Sequence, residues 1–322
     1  MNKEWTLVVS GYSKTGQADF ALYGWNSVTM RLQDAIETGE NPSFLLQRGA
    51  VIYAAHELPH SVKITAWKIE NHRLIQQAKT RLSGAGLCHL CDTGNFLVGS
   101  CWESGDFFAV DYDLKHLLWR VQIQGTAVAH AHCSVWVQDR LLCCDLGRDA
   151  IGVYRIDAHK PELLFRISLA DGTGPRQILP LAQGRFAVIG ENSNSVLLLG
   201  NQEEQYRLLD ELSLNDVGKG WPGGACMTGD DMLTVPVRGT NSLVQVQIVQ
   251  QKLTIHTIHK MRADWIRMTM MPQMSNFVFA AQQKQDFIEV VQISQQQGNV
   301  FPFPAPAFVL QVIENEDDNH ES

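Results

Sequence analysis

One strand pattern recurs seven times along this chain at intervals of about 45 residues, and a repeat of that length built from short strands constrains the fold more than any single residue does. An apolar pair opens each copy: Leu7-Val8, Ile52-Tyr53, Phe96-Leu97, Leu141-Leu142, Phe186-Ala187, Met232-Leu233 and Phe277-Val278. A polar turn and a second, alternating strand follow, as in Ser61 to Trp67 or Ser242 to Ile248. Alternation with period two marks strands with a packed face. A short apolar segment precedes most anchors, as in Pro42 to Leu46, Cys88 to Leu90, His132 to Trp136 and Arg176 to Leu179, and a tail strand such as Leu74 to Thr80 completes the unit. Four strands per repeat at this period predict an all-β protein, a seven-bladed β-propeller of four-stranded antiparallel blades.

The first unit lacks its leading strand, whereas Ala307 to Val312 is a strand with no unit after it. The C-terminal strand is therefore expected to join the N-terminal blade, which closes the ring and removes exposed sheet edges. Residues 1–313 form a single propeller on this reading, and the acidic stretch 314–322 is a disordered tail.

Composition narrows the function. A net charge of -8 argues against nucleic acid as partner, because a phosphate backbone calls for a basic face. No apolar run is long enough to span a bilayer, and the chain enters its first strand without a secretory leader, so a cytoplasmic protein is expected. Seven cysteines without a regular framework agree with a reducing compartment. Cys88 and Cys91 flank His89, but no second pair stands at matching spacing, so they read as strand packing, and no metal or other cofactor is expected. With no edge that obliges pairing, the ring is expected to be a monomer or a weak homodimer.

Blade geometry brings scattered polar residues together. The start of each innermost strand and the end of the next lie at one mouth of the central channel. The innermost starts carry His89, His132, Arg176 and Arg267, and the ends of the following strands carry Glu57, Asp145, Glu191 and Arg238. Three arginines among histidines and carboxylates favour a small anionic ligand, since the guanidinium fork suits phosphate and carboxylate. Each of these residues could equally satisfy loop backbone groups, and from geometry alone His89 and Glu57 stay at that balance.

The same positions resemble the β-propeller lactonase family, which includes the propeller-type 6-phosphogluconolactonases and carboxymuconate cyclases. The resemblance rests on Asn41-Pro42-Ser43-Phe44-Leu45, Ala131-His132-Cys133-Ser134, Asp145-Leu146-Gly147-Arg148-Asp149, Gly172-Thr173-Gly174-Pro175-Arg176, Glu191 to Val196 and Arg238-Gly239-Thr240-Asn241-Ser242. It implies that His132, Arg176, Glu191 and Arg238 are the catalytic set. Arg267 corresponds to a further family arginine, and His89, Glu57 and Asp145 are candidate substrate contacts. The chain departs from the family at Gln177, where a histidine is usual, at Ala131, where a proline is usual, and at Asn192 beside the glutamate.

The resemblance implies hydrolysis of a sugar lactone, foremost 6-phospho-D-glucono-1,5-lactone to 6-phosphogluconate in the pentose phosphate pathway. In that scheme Glu191 or His132 deprotonates a water, Arg176 or Arg238 meets the oxyanion, and Arg267 holds the phosphate. Cys133 is expected to point away from His132, because neighbours in a strand face opposite ways, and so is not a nucleophile. The alternatives are a muconate-type lactonising or delactonising reaction on the same residues and a propeller that serves only as a binding scaffold.

Overall fold

The apolar alternation builds seven sheets whose faces can be buried only against one another. In the computed structural model, which describes residues 4–125, 127–157, 160–202, 205–273, 276–293 and 298–313, they do so as a closed seven-bladed β-propeller. The stretch 314–322, read above as a tail, lies outside the described residues.

Blade 1 runs from the inside outward as Pro306–Gln311, Trp5–Gly11, Phe20–Trp25 and Met30–Ile36. Its innermost strand is thus the C-terminal one, and Val9 pairs with Val309 in antiparallel register. Blades 2 to 5 and 7 are simple four-strand meanders beginning at Pro42, Leu87, Ala131, Pro175 and Ile266. Blade 6 differs, because its innermost strand is split into Trp221–Pro222 and Cys226–Gly229 around Gly223, Gly224 and Ala225.

Seven apolar clusters hold the ring, one between each pair of neighbouring blades. The cluster between blades 7 and 1 contains Trp5, Trp25, Phe279 and Val309, so closure is a packing event as well as a strand pairing. Trp25 meets Phe279 edge-on at 4.8 Å. Among the described residues no helix is long and apolar enough to cross a membrane.

One irregularity of the innermost strands shapes the channel. Near its start each except that of blade 6 carries an extra residue relative to its partner: Ala307, Ser43, Cys88, His132 and Arg176 in blades 1 to 5, and Arg267 with Met268 in blade 7. A bulge breaks the alternation and re-aims side chains. The bulged residue and its successor therefore both face the channel, and the expectation that Cys133 points away from His132 fails for this reason. Both line the cavity.

Candidate functional site

The central cavity opens to solvent, and all seven blades contribute to its wall. The bulge residues divide it. Blades 1 to 3 present Ala307, Ser43 and Cys88, which are small, while blades 4, 5 and 7 present His132, Arg176 and Arg267. Phe44, Phe308 and His89 form an aromatic floor, with Phe44 4.6 Å from Phe308 and 4.4 Å from His89 between ring centroids. The charged groups thus stand on one side of a space left open by the other.

Two separate charge clusters occupy the mouth. In the first, Glu191 lies between Arg176 and Arg238: its Oε2 accepts from Arg176, and its Oε1 is 2.8 Å from Arg238 Nη2. Burial pushes the Glu191 carboxyl up, but the two arginines overcome it and hold the group at about 2. Burial, with the adjacent Arg176 charge, brings Arg238 down to about 10 in spite of Glu191, so it remains a cation at neutral pH. The backbone carbonyl of Trp221 accepts from Arg238 Nε at 2.9 Å and that of Pro222 from Nη2 at 3.2 Å, which fixes the guanidinium plane.

Arg176 is placed by a contact between two of the motifs singled out in the sequence. The Asp149 carboxylate accepts from the Gly172 N–H at 2.8 Å and the Gly174 N–H at 2.6 Å, pinning the turn that leads into Arg176. Gly174 has φ of 59°, and a Cβ there would lie 2.5 Å from the Asn192 side chain, so the turn tolerates little but glycine. Gln177, where the family usually has histidine, clasps the backbone of Ala225. Its Oε1 accepts from the Ala225 N–H at 2.8 Å and its Nε2 donates to the carbonyl at 3.1 Å. It thereby steadies the split strand that brings Gly224 to the cavity wall.

The second cluster was only half legible in the sequence. Glu57 Oε2 accepts from the Tyr12 phenol at 2.7 Å and from Arg267 Nη2 at 3.2 Å. Arg267 reaches from blade 7 past blade 1 to blade 2. Burial opposes its charge, yet Tyr12 and Glu57 raise its pKa above that of an ordinary arginine. Burial raises the Tyr12 phenol far above the usual tyrosine range, so it stays a donor. Tyr12 was not among the candidates, but the repeat contained its signal, since it stands five residues beyond its anchor Leu7, as Glu57 does beyond Ile52 and Glu191 beyond Phe186.

The remaining candidates fall into place differently. His132 lines the cavity, and burial, followed by the charges of Arg176 and Arg267, holds its imidazole neutral, well below the usual histidine range. His89 is one residue past the bulge, so Cys88 and not His89 is the counterpart of His132 and Arg176. Its Nε2 lies 3.5 Å from Cys133 Sγ, and burial lowers its pKa to about 3. Asp145 does not line the cavity, and unlike Glu191 and Glu57, which also stand behind the wall, it pairs with no arginine that does. Its carboxylate accepts from the His130 N–H at 3.0 Å and faces Arg148 at 3.7 Å, a turn-stabilising arrangement. Burial raises the Cys133 thiol to about 12, which leaves it unreactive.

Arg176, Arg238, Arg267, Glu191, Glu57 and His132 thus gather at one mouth of the channel of a seven-bladed propeller. The family model for the seven-bladed β-propeller lactonases matches residues 6–309, and the chain belongs to that family. No curated protein matches it. Among solved structures it is similar to the Pseudomonas aeruginosa periplasmic gluconolactonase PpgL (TM-score 0.86, 18% identity, 97% of this chain and 100% of that one). It is equally similar to a Bacteroides fragilis protein proposed to be a 6-phosphogluconolactonase (TM-score 0.86, 17% identity, 96% and 98%). A Lactobacillus plantarum protein aligns as well (TM-score 0.86, 17% identity, 97% and 100%). At these identities the likeness is one of fold.

Proposed function

We propose that this protein hydrolyses a sugar lactone in the channel, with 6-phospho-D-glucono-1,5-lactone as the first substrate to test. A lactone of this kind is an activated ester that already opens slowly in water. What a protein must add is a fixed orientation, a partner for the oxyanion and a proton acceptor.

The observation that carries the reading is the distribution of charge. Arg176 and Arg238 share the single carboxylate of Glu191, which leaves one positive charge uncompensated beside the cavity, whereas Arg267 is matched by Glu57. The anionic end of a substrate belongs with the uncompensated pair, where two guanidinium groups already converge on carboxylate oxygens. The lactone carbonyl then lies toward Arg267. This reverses the roles expected from the sequence, in which Arg267 held the phosphate. Neutral His132, between the two clusters, serves to hydrogen-bond the sugar or the carbonyl.

A carboxylated muconolactone fits the Arg176 and Arg238 pair as well, because Glu191 shows that pair receiving a carboxylate. The experiment is hydrolysis of freshly made 6-phosphogluconolactone, gluconolactone and a muconolactone above their spontaneous rates, with Arg176→Ala and Arg267→Ala alongside. Arg176→Ala is expected to raise KM for the phosphorylated substrate more than for gluconolactone, and Arg267→Ala to lower kcat for both. Loss confined to the phosphorylated substrate in Arg267→Ala restores the original assignment. Spontaneous rates throughout with folded protein leave a binding scaffold as the function.

A further inference from the structure

Hydrolysis needs a group that accepts a proton from the attacking water, and the channel offers four. His89 directs its ring nitrogens at blade 4, toward Cys133 Sγ and the Ser134 N–H. Glu191 has both oxygens committed to arginines. His132 sits beside two of the arginine cations, which disfavour its protonated form. Glu57 is different. Both of its donors, Tyr12 and Arg267, meet Oε2, and Oε1 accepts no hydrogen bond from any described residue.

The position of Glu57 is built with care. Its N–H donates to the Asn41 carbonyl at 2.9 Å, and Asn41 Nδ2 donates back to the Glu57 carbonyl at 3.1 Å. Asn41 Oδ1 in turn accepts from the Ser13 N–H at 2.9 Å, next to Tyr12. One asparagine therefore locks the ends of two blades so that phenol and carboxylate meet. The first residue of the Asn-Pro-Ser-Phe-Leu motif, unexplained by the other cluster, acquires a role. Glu57 stands just outside the cavity wall and is joined to it through Arg267, which lines the cavity and meets Glu57 Oε2 at 3.2 Å.

We propose that Glu57, oriented by Tyr12, is the catalytic residue that takes the proton of the attacking water through its free carboxylate oxygen. The inference rests on the lactonase reading given above. The water oxygen bonds to the lactone carbonyl carbon as one water proton passes to Glu57 Oε1. The carbonyl electron pair moves onto oxygen, facing Arg267. Collapse of this intermediate breaks the bond from carbon to ring oxygen, and the proton returns from Glu57 to the departing ring oxygen, giving the open hydroxy acid. Glu57 is regenerated as a carboxylate. Tyr12 is a positioning residue that stabilises that carboxylate by donating to it.

The groups facing Glu57 are Tyr12 from blade 1, Arg267 from blade 7, Cys88 from blade 3 and, through the backbone, Asn41. Since only the ionised form accepts a proton, the wild-type kcat/KM should fall on the acid side. Glu57→Gln is expected to lower kcat about a hundredfold or more with little change in KM, and to abolish that acid limb. Tyr12→Phe removes a donor that orients the carboxylate and should lower kcat while leaving KM nearly unchanged, a split that a merely structural tyrosine would not produce. Circular dichroism checks that both variants fold, and Tyr12→Phe alone decides the matter if Glu57→Gln does not. An active wild type matched by Glu57→Gln, or an acid limb that survives Glu57→Gln and vanishes in His132→Gln, overturns this inference and leaves the lactonase reading intact. A wild type that does not accelerate hydrolysis of any lactone overturns both.

Discussion

Replacing Glu191 by Gln removes the carboxylate shared by two arginine side chains that are 7% and 8% exposed. The pair of ion contacts holds the folded carboxyl at about 2 against 4.5 for an ordinary glutamate. A difference of roughly 2.5 units at 1.36 kcal/mol per unit corresponds to about 3 kcal/mol of stability at neutral pH. The folded value lies below the unfolded one, so this contribution is complete above about pH 4.5 and is lost as the pH falls toward 2. Urea denaturation of wild type and Glu191→Gln across that range should therefore show a gap of about 3 kcal/mol at pH 7 that narrows steadily below pH 4.5. In Glu191→Ala, which vacates the position between the guanidinium groups, added formate should recover part of the loss. A gap under about 0.5 kcal/mol at pH 7, or one that stays constant down to pH 3, refutes the argument that the carboxylate is an ionised clamp for two buried cations.

Two further outcomes follow from the same geometry. Asp149→Ala frees the Gly172 and Gly174 amides and should cost about 1–2 kcal/mol in denaturation, with a larger proportional loss of kcat/KM because the turn carries Arg176. An unchanged kcat/KM would disconnect that turn from the site. Burial raises all seven thiols, Cys226 to about 11 and Cys88, Cys91 and Cys133 to about 12, so the native protein should react negligibly with a thiol reagent at pH 8 and fully once unfolded. Rapid labelling of one thiol in the native state would expose an accessible thiolate.

The interval of about 45 residues, the alternation within each copy and the unmatched strand at 307–312 made the ring and its closure readable, because blade formation depends on local pattern repeated many times. The mouth was readable for the same reason. Residues at equivalent repeat positions must come to the same end of the channel, and His132, Arg176, Glu191, Arg238, Arg267 and Glu57 do so. Equivalence also held the clue to Tyr12, which went unused because the first copy begins so near the N-terminus. Asp145 stands four residues beyond its anchor Leu141, one short of the position held by Tyr12, Glu57 and Glu191, and its register counterparts are His56 and Gly190, so its carboxylate turns to the His130 amide and Arg148.

Strand alternation is a local property, and it predicted opposite faces for His132 and Cys133. The bulge that puts both against the cavity arises from how one strand registers with its neighbour, with Ala131 opposite Asp145 and Cys133 opposite Cys144. The same shift demotes His89 and promotes Cys88. Which charge meets which was likewise undecided until the ring closed. Arg267 and Glu57 are 210 residues apart in the chain and become partners only because the C-terminal strand docks in blade 1 and brings blade 7 up to blade 2. The sequence alone determined the ring, its closure and the stock of charges at one mouth, since these follow from repetition. The tertiary structure decided the aim of each side chain and the pairing of each charge, since these depend on register and contacts between distant parts of the chain.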